Sequence, residues 1–284
     1  QWDWMNDPEI HSSTWEWDMS GSSKHWRYTH NFVHHKYTNI LGMDDDVGYG
    51  LLRVTRDQRW KRFNLLNLVY NTMLALLFEW GVGLQHVEIG KIVKKGMDNE
   101  EARQRIDEFL TKASRQVVKD YVAFPALTAL SPGATYRSTL TANATANVLR
   151  NVWANAVIFC GHFPDGTQEF TVEETQDESR GMWYFRQVLG SANLTGGTVF
   201  HLLSGNLSHQ IEHHLFPDMP ARRYSEIAPE VLALCERYGI PYNRGPLTRQ
   251  FATVVRKIVK LTFPDSWRGR TAAERRAEPM PTAA

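Results

Sequence analysis

Cysteine is nearly absent: Cys160 and Cys235 are the whole complement of 284 residues. Two thiols cannot build the bridge framework of a small secreted domain, and they suit a reduced protein facing the cytosol. An excess of either charge is also missing. The formal net charge is +1, which leaves no case for a nucleic-acid partner. Mean hydropathy is −0.42, low for a polytopic membrane protein. No signal peptide is readable at the start. The H-E-x-x-H signature of zinc proteases is absent. No Glu has a His three residues later, which removes the Glu-x-x-His motif of soluble di-iron bundles. There is no H-P-G-G segment of the kind that marks a fused haem domain. The length suits one large domain or two small ones.

Histidine is what the chain does have, in a pattern. His30-Asn31-Phe32-Val33-His34-His35 and His209-Gln210-Ile211-Glu212-His213-His214 both read H-x-x-x-H-H. They are the sole internal repetition we find. Neutral imidazole is the commonest side-chain metal ligand near neutral pH. On an α-helix, positions i and i+4 share a face, so His30 and His34 are expected to point at one spot. His35 falls roughly 100° further round and reaches toward a second ion. One such cluster is commonplace on a surface or in a core. Two of the same form, both in aromatic and apolar context, predict a pair of ions ringed by nitrogen donors.

At these residues the chain resembles a known family. "HNFVHHKYTN" and "QIEHHLFP" are similar to the second and third histidine boxes of the membrane fatty acid desaturases. Trp26-Arg27, Thr38-Asn39 and Gly205-Asn206-Leu207 support the match, and "GMDDDVGYG" and "FCGHFPDG" resemble the actinobacterial acyl-CoA desaturases. The likeness runs from about Gln1 to Tyr242. It implies an all-α, polytopic membrane helical bundle with a cytosolic helical cap, two non-haem Fe ions and O2 as co-substrate. It also implies a fatty acyl-CoA or acyl-lipid substrate and a separate electron donor, either ferredoxin and reductase or a haem protein. The family's first box has no counterpart here; by resemblance it would lie just before Gln1, so we expect a chain that starts after that box. A hydroxylase or other oxygenase of the same superfamily, or an inactive truncated chain, remains an alternative to a desaturase.

Residues outside the boxes carry further expectations. Trp2, Trp4, Trp15 and Trp17 suit a membrane boundary or, nearly as well, a soluble core. His11 and His25 fall outside any box spacing and read as structural. Asp44-Asp45-Asp46 reads as a solvated acidic turn or as a carboxylate that fixes a ligand imidazole. Asn64 to Phe78, extended to Gln85, and Thr139 to Gly161 are candidate spans, the second interrupted by Arg150. Asn67, Asn71 and Glu79 would then have to face protein or the interface. His162 ends the second candidate, and the resemblance implies an extra ligand there. In the third box, His213 and His214 are the expected ligands, while His209 and Gln210 compete for the remaining position. The uncharged stretch from Gln187 to Ile211, with Gly190, Gly196, Gly197 and Gly205, is expected to allow close helix approach. Helices are expected around Tyr224 to Tyr238 and Leu247 to Leu261, in a basic tail suited to phosphate or to a plain solvated cap. Residues 1–265 are expected to form the desaturase domain and 266–284 a disordered tail. The resemblance places the protein in the membrane, its site facing the cytoplasm.

Overall fold

A computed structural model describes residues 17–93, 96–133 and 135–264. His11, Trp2, Trp4, Trp15 and the expected tail at 266–284 lie outside them. The chain divides into two compact units: residues 30–71 with 156–264, and residues 17–29 with 72–155. Helices dominate both. The only strands among the described residues are β1, Asn193–Thr195, and β2, Arg244–Pro246, paired in parallel with Asn193 opposite Arg244.

In the unit holding residues 30–71, the Arg180–Leu189 helix is the organiser. Trp183 and Leu189 pack with Ile40 and Phe170 in one apolar cluster. Val188, about 100° round from Leu189, packs with Ile211, Val231 and Cys235 in another. One helix therefore holds the segment after the first histidine cluster on one face and the helix of the second cluster on the other. The tail helices form as expected, at Tyr224–Tyr238 and Leu247–Thr262. The stretch from Gln187 to Ile211 is not one helix. Gly190 ends the Arg180–Leu189 helix, β1 follows, and Gly205 turns the chain at φ +61 after the short Thr198–Leu203 helix.

In the other unit, the Asn99–Val118 helix starts at Asp98, whose side chain accepts the Glu100 N–H at 2.9 Å. It packs on the Phe78–Val87 helix, where a Cβ on Gly83 would stand 2.9 Å from the Phe109 ring. Asn143, Asn147 and Asn151 recur every four residues, hence on one helical face. They bond inward, to Asp120, to Asp120 with Tyr121, and to the Leu76 carbonyl. Glu79 is buried, accepts the Ser20 N–H at 2.9 Å, and pairs with Arg150. The two charges that interrupt the candidate spans thus neutralise each other. Asn67, buried, bonds both the N–H and the C=O of Arg53.

Among the described residues no single helix is long and apolar enough to cross a membrane. Tyr136–His162, with 27 residues, has the length but carries Arg137, Arg150 and the Asn series. The helices Arg62–Leu76 and Phe78–Val93 satisfy length and composition together, with a 102° bend between them.

Candidate metal centre

The upstream cluster lies on two consecutive helical segments, a π-helical Arg27–His34 and His35–Tyr37. A π-helix bonds i to i+5, and such turns concentrate at functional sites. The local period changes which histidines share a face. His30, five residues before His35, groups with His35 and His213, their ligand atoms all within 4.8 Å of one another. His34 groups with His162 and His214 within the same distance. The α-helical expectation that His30 and His34 aim at one spot holds only in a mixed group with Asp46.

Four of the six rings, those of His30, His34, His213 and His214, are oriented from behind. His34 Nδ1 donates to Asp44, 3.0 and 2.9 Å from its two oxygens, which leaves Nε2 buried with no hydrogen-bond partner. Asp44 is held in turn by the Asn39 and Asp46 N–H groups, at 2.8 and 3.0 Å. His30 Nδ1 lies 3.3 Å from Asp46. His214 Nδ1 lies 3.1 Å from Gln187 Oε1 and 3.2 Å from Thr38 Oγ1, and its Nε2 faces His162 Nε2 at 3.2 Å. His213 Nδ1 meets the Tyr224 hydroxyl at 3.1 Å. Burial, reinforced by neighbouring imidazoles, holds His35 and His214 well below the usual histidine range. They are neutral near pH 7 and able to donate a lone pair. For His34, burial pushes the ring down, but Asp44 outweighs it and the net shift is upward.

The scaffold behind the rings is polar and buried. Arg186 donates to the Thr38 and Lys36 carbonyls at 2.9 and 3.0 Å, capping the end of the first histidine segment, and to both oxygens of Glu178. Glu212, fully buried between His209 and His213, accepts from Asn193 at 2.7 Å and from the Tyr242 hydroxyl at 2.8 Å. Asn193 Oδ1 accepts the Ile211 N–H at 2.9 Å, so β1 seats the start of the Gln210–Leu215 helix.

Of the eight residues singled out from sequence, His30, His34, His35, His162, His213 and His214 fall in the two imidazole groups. Gln210 places its side-chain amide 2.9 Å from His162 Nε2 and 3.3 Å from His214 Nε2; turned over about its own axis, the amide presents its oxygen there instead. His209 lies outside both groups, its ring stacked on His201 with centroids 4.7 Å apart. Burial and then His201 push it down to about 4. His25 pairs with Glu108 at 3.2 Å and belongs to neither group. Sequence reasoning missed Gln187, Arg186, Tyr224 and the Asn193–Tyr242 pair. The one local signal was polar Arg186-Gln187 inside the apolar run from Met182 to Leu189.

Convergent buried imidazoles, with His34 Nε2 lacking a hydrogen-bond partner, suit first-row transition-metal ions. The fatty acid desaturase family model matches residues 3–246. The chain belongs to the fatty acid desaturase family. It is 65% identical over 99% of its length to "NADPH-dependent stearoyl-CoA 9-desaturase" of Mycobacterium tuberculosis, covering 66% of that protein. It is 25% identical to "sn-1 linoleoyl-lipid 6-desaturase" of Synechocystis, over 79% of this chain and 63% of that one. It is 26% identical to human "Fatty acid desaturase 3", over 85% and 51%. No solved structure matches the chain. The chain therefore spans just under two thirds, or less, of these curated relatives.

Proposed function

We propose that this chain carries the metal-binding core of an O2-dependent fatty acyl desaturase acting on a long-chain acyl-CoA. The observation that carries the proposal is the split of six histidines into two imidazole groups. His30, His35 and His213 would hold one Fe ion. His34, His162 and His214, with Gln210, would hold the other. When bound, such an iron pair supplies the O2- and electron-dependent oxidising power needed to remove hydrogen from an unactivated methylene. The chain's own residues keep the ligands ready for it. Asp44 holds the His34 Nδ1 proton, Gln187 and Thr38 face His214 Nδ1, and Tyr224 meets His213, so that the opposite nitrogens are left for metal. The acyl-CoA class and NADPH as the source of electrons are taken from the name of the mycobacterial relative, and a separate electron donor from the family resemblance.

We place residues 1–265 in one catalytic domain and 266–284 in a tail. We also propose an integral membrane location, with the site on the cytoplasmic side. Support comes from an inverted polarity: Leu127, Leu130 and Leu149 are 61%, 83% and 64% exposed, while Asn143, Asn147 and Asn151 bond inward. Apolar side chains turned outward over so much surface call for a lipid or protein cover.

The test is iron analysis and product analysis on the purified protein at its natural length, given stearoyl-CoA, O2 and a reductase system. Two irons per chain and a mono-unsaturated acyl product are expected. A hydroxylated product would assign the other superfamily chemistry, and a protein that purifies without iron under reducing, anaerobic loading would sink the proposal.

A further inference from the structure

The Leu247–Thr262 helix has three faces. At about 100° per residue, Gln250, Val254, Ile258 and Leu261 cluster on one side, and all four are buried. Phe251, Val255 and Val259 fall on the next sector. They are apolar yet not buried, Phe251 being 38% and Val259 39% exposed. Arg249, Arg256 and Lys260 follow on the sector beyond. A solvated helix places polar groups where Phe251 and Val259 stand. An exposed apolar strip edged by cations is the pattern of a helix lying in a membrane interface.

Two further observations point the same way. The cationic edge closes on a cavity of about 140 Å³ lined by Thr55, Arg56, Asp165, Arg256, Lys257 and Lys260, with Leu261. Four cations line it, of which Arg256 pairs with Asp165 and Lys257 with the buried Glu169, so positive charge remains in excess there. A cavity of that size has room for one phosphate group, not for the three of coenzyme A. The end of the helix is also tied to the start of the bent apolar pair: Trp60 Nε1 donates to the Thr262 carbonyl at 3.0 Å, and Asn67 donates to Ile258 at 3.3 Å. Beside Trp60 and Asn67 in sequence, Phe63, Leu65 and Leu66 are 45%, 53% and 49% exposed. Trp at the boundary between an apolar band and polar surroundings is the usual marker of the headgroup level.

We propose that the Leu247–Thr262 helix lies in the headgroup plane of an anionic bilayer, with Phe251, Val255 and Val259 at the acyl boundary and a phospholipid phosphate held between Arg56, Arg256 and Lys260. The proposal rests on the membrane location above and adds to it the surface and the lipid. Bidentate guanidinium–phosphate contact together with a lysine point charge suits a phosphodiester.

The test uses the iron-loaded protein at its natural length in nanodiscs containing phosphatidylglycerol. A fluorophore is attached to Val259→Cys, with Leu77→Cys as the position expected in lipid and Glu236→Cys, exposed on the Tyr224–Tyr238 helix, as the aqueous control. Cys160 and Cys235 are buried and stay unlabelled. Brominated lipid should quench the probes at 259 and 77 and spare 236. In native mass spectrometry, Arg256→Glu and Lys260→Glu should each weaken phosphatidylglycerol retention about five-fold, with iron content unchanged. Quenching at 77 without quenching at 259 would overturn the proposal and leave the membrane location standing. Quenching at neither would remove both. Weakened stearoyl-CoA binding with lipid retention intact would assign the cavity to substrate phosphates and overturn the lipid proposal.

Discussion

Asp44 takes the Nδ1 proton of His34 between its two oxygens, at 3.0 and 2.9 Å. That contact orients a buried histidine and leaves its other nitrogen without a hydrogen-bond partner, as a metal ligand requires. Replacing Asp44 with Asn keeps the shape and removes the charge. Iron affinity should fall about 10–100-fold, as is usual for such supporting carboxylates, measured by chelator competition. Wild-type affinity in Asp44→Asn would mean that His34 is not a ligand.

His213 and His25 make a matched pair of tests. His213→Ala removes one donor from a group of three, and should lower iron content and abolish product. His25→Ala breaks the pair with Glu108 and an edge contact with His86, and should keep most of the iron. Equal iron loss in both variants would point to general misfolding rather than to a ligand set.

The rivalry within the third box is open to experiment in the same way. Gln210 touches His162 and His214, whereas His209 stacks on His201. Gln210→Ala should therefore weaken iron binding more than His209→Ala does. The reverse order would return His209 to the ligand set.

Arg186 is buried against Glu178 and two backbone carbonyls. Arg186→Met should destabilise the protein by about 3–5 kcal/mol, since it strands a buried carboxylate. Adding Glu178→Gln should restore part of the loss. Thermal denaturation of the single and double variants checks this, and a double variant no more stable than the single one would show that the carbonyl contacts, not the ion pair, dominate.

Removing iron with a chelator should lower the melting temperature. Six converging imidazoles are costly to bury without an ion, and metal affinity is coupled to folding. A melting temperature that does not respond to chelation in wild type would show that the groups fold without regard to metal.

The repeated H-x-x-x-H-H pattern, the likeness to the desaturase boxes and the two tail helices were all legible in the amino-acid sequence. They depend on residue type and local spacing, which the chain carries with it. The role of Asp44 was within reach for the same reason, since it lies ten residues from His34 and in a run that offered a carboxylate. Which histidine joins which group was not. A straight α-helix pairs His30 with His34, and only the π-helical turn over Arg27–His34 brings His30 to His35. A change of period costs little in local propensity and leaves no mark in composition, so long-range packing decides it. Tyr224, Asn193 and Tyr242 were invisible for a related reason: each acts on a histidine or on the Gln210–Leu215 helix through a contact set by tertiary folding. The pairing of Glu79 with Arg150, 71 residues apart, belongs with them. In sequence the two charges read as separate interruptions of two apolar stretches, and only folding brings them to one another.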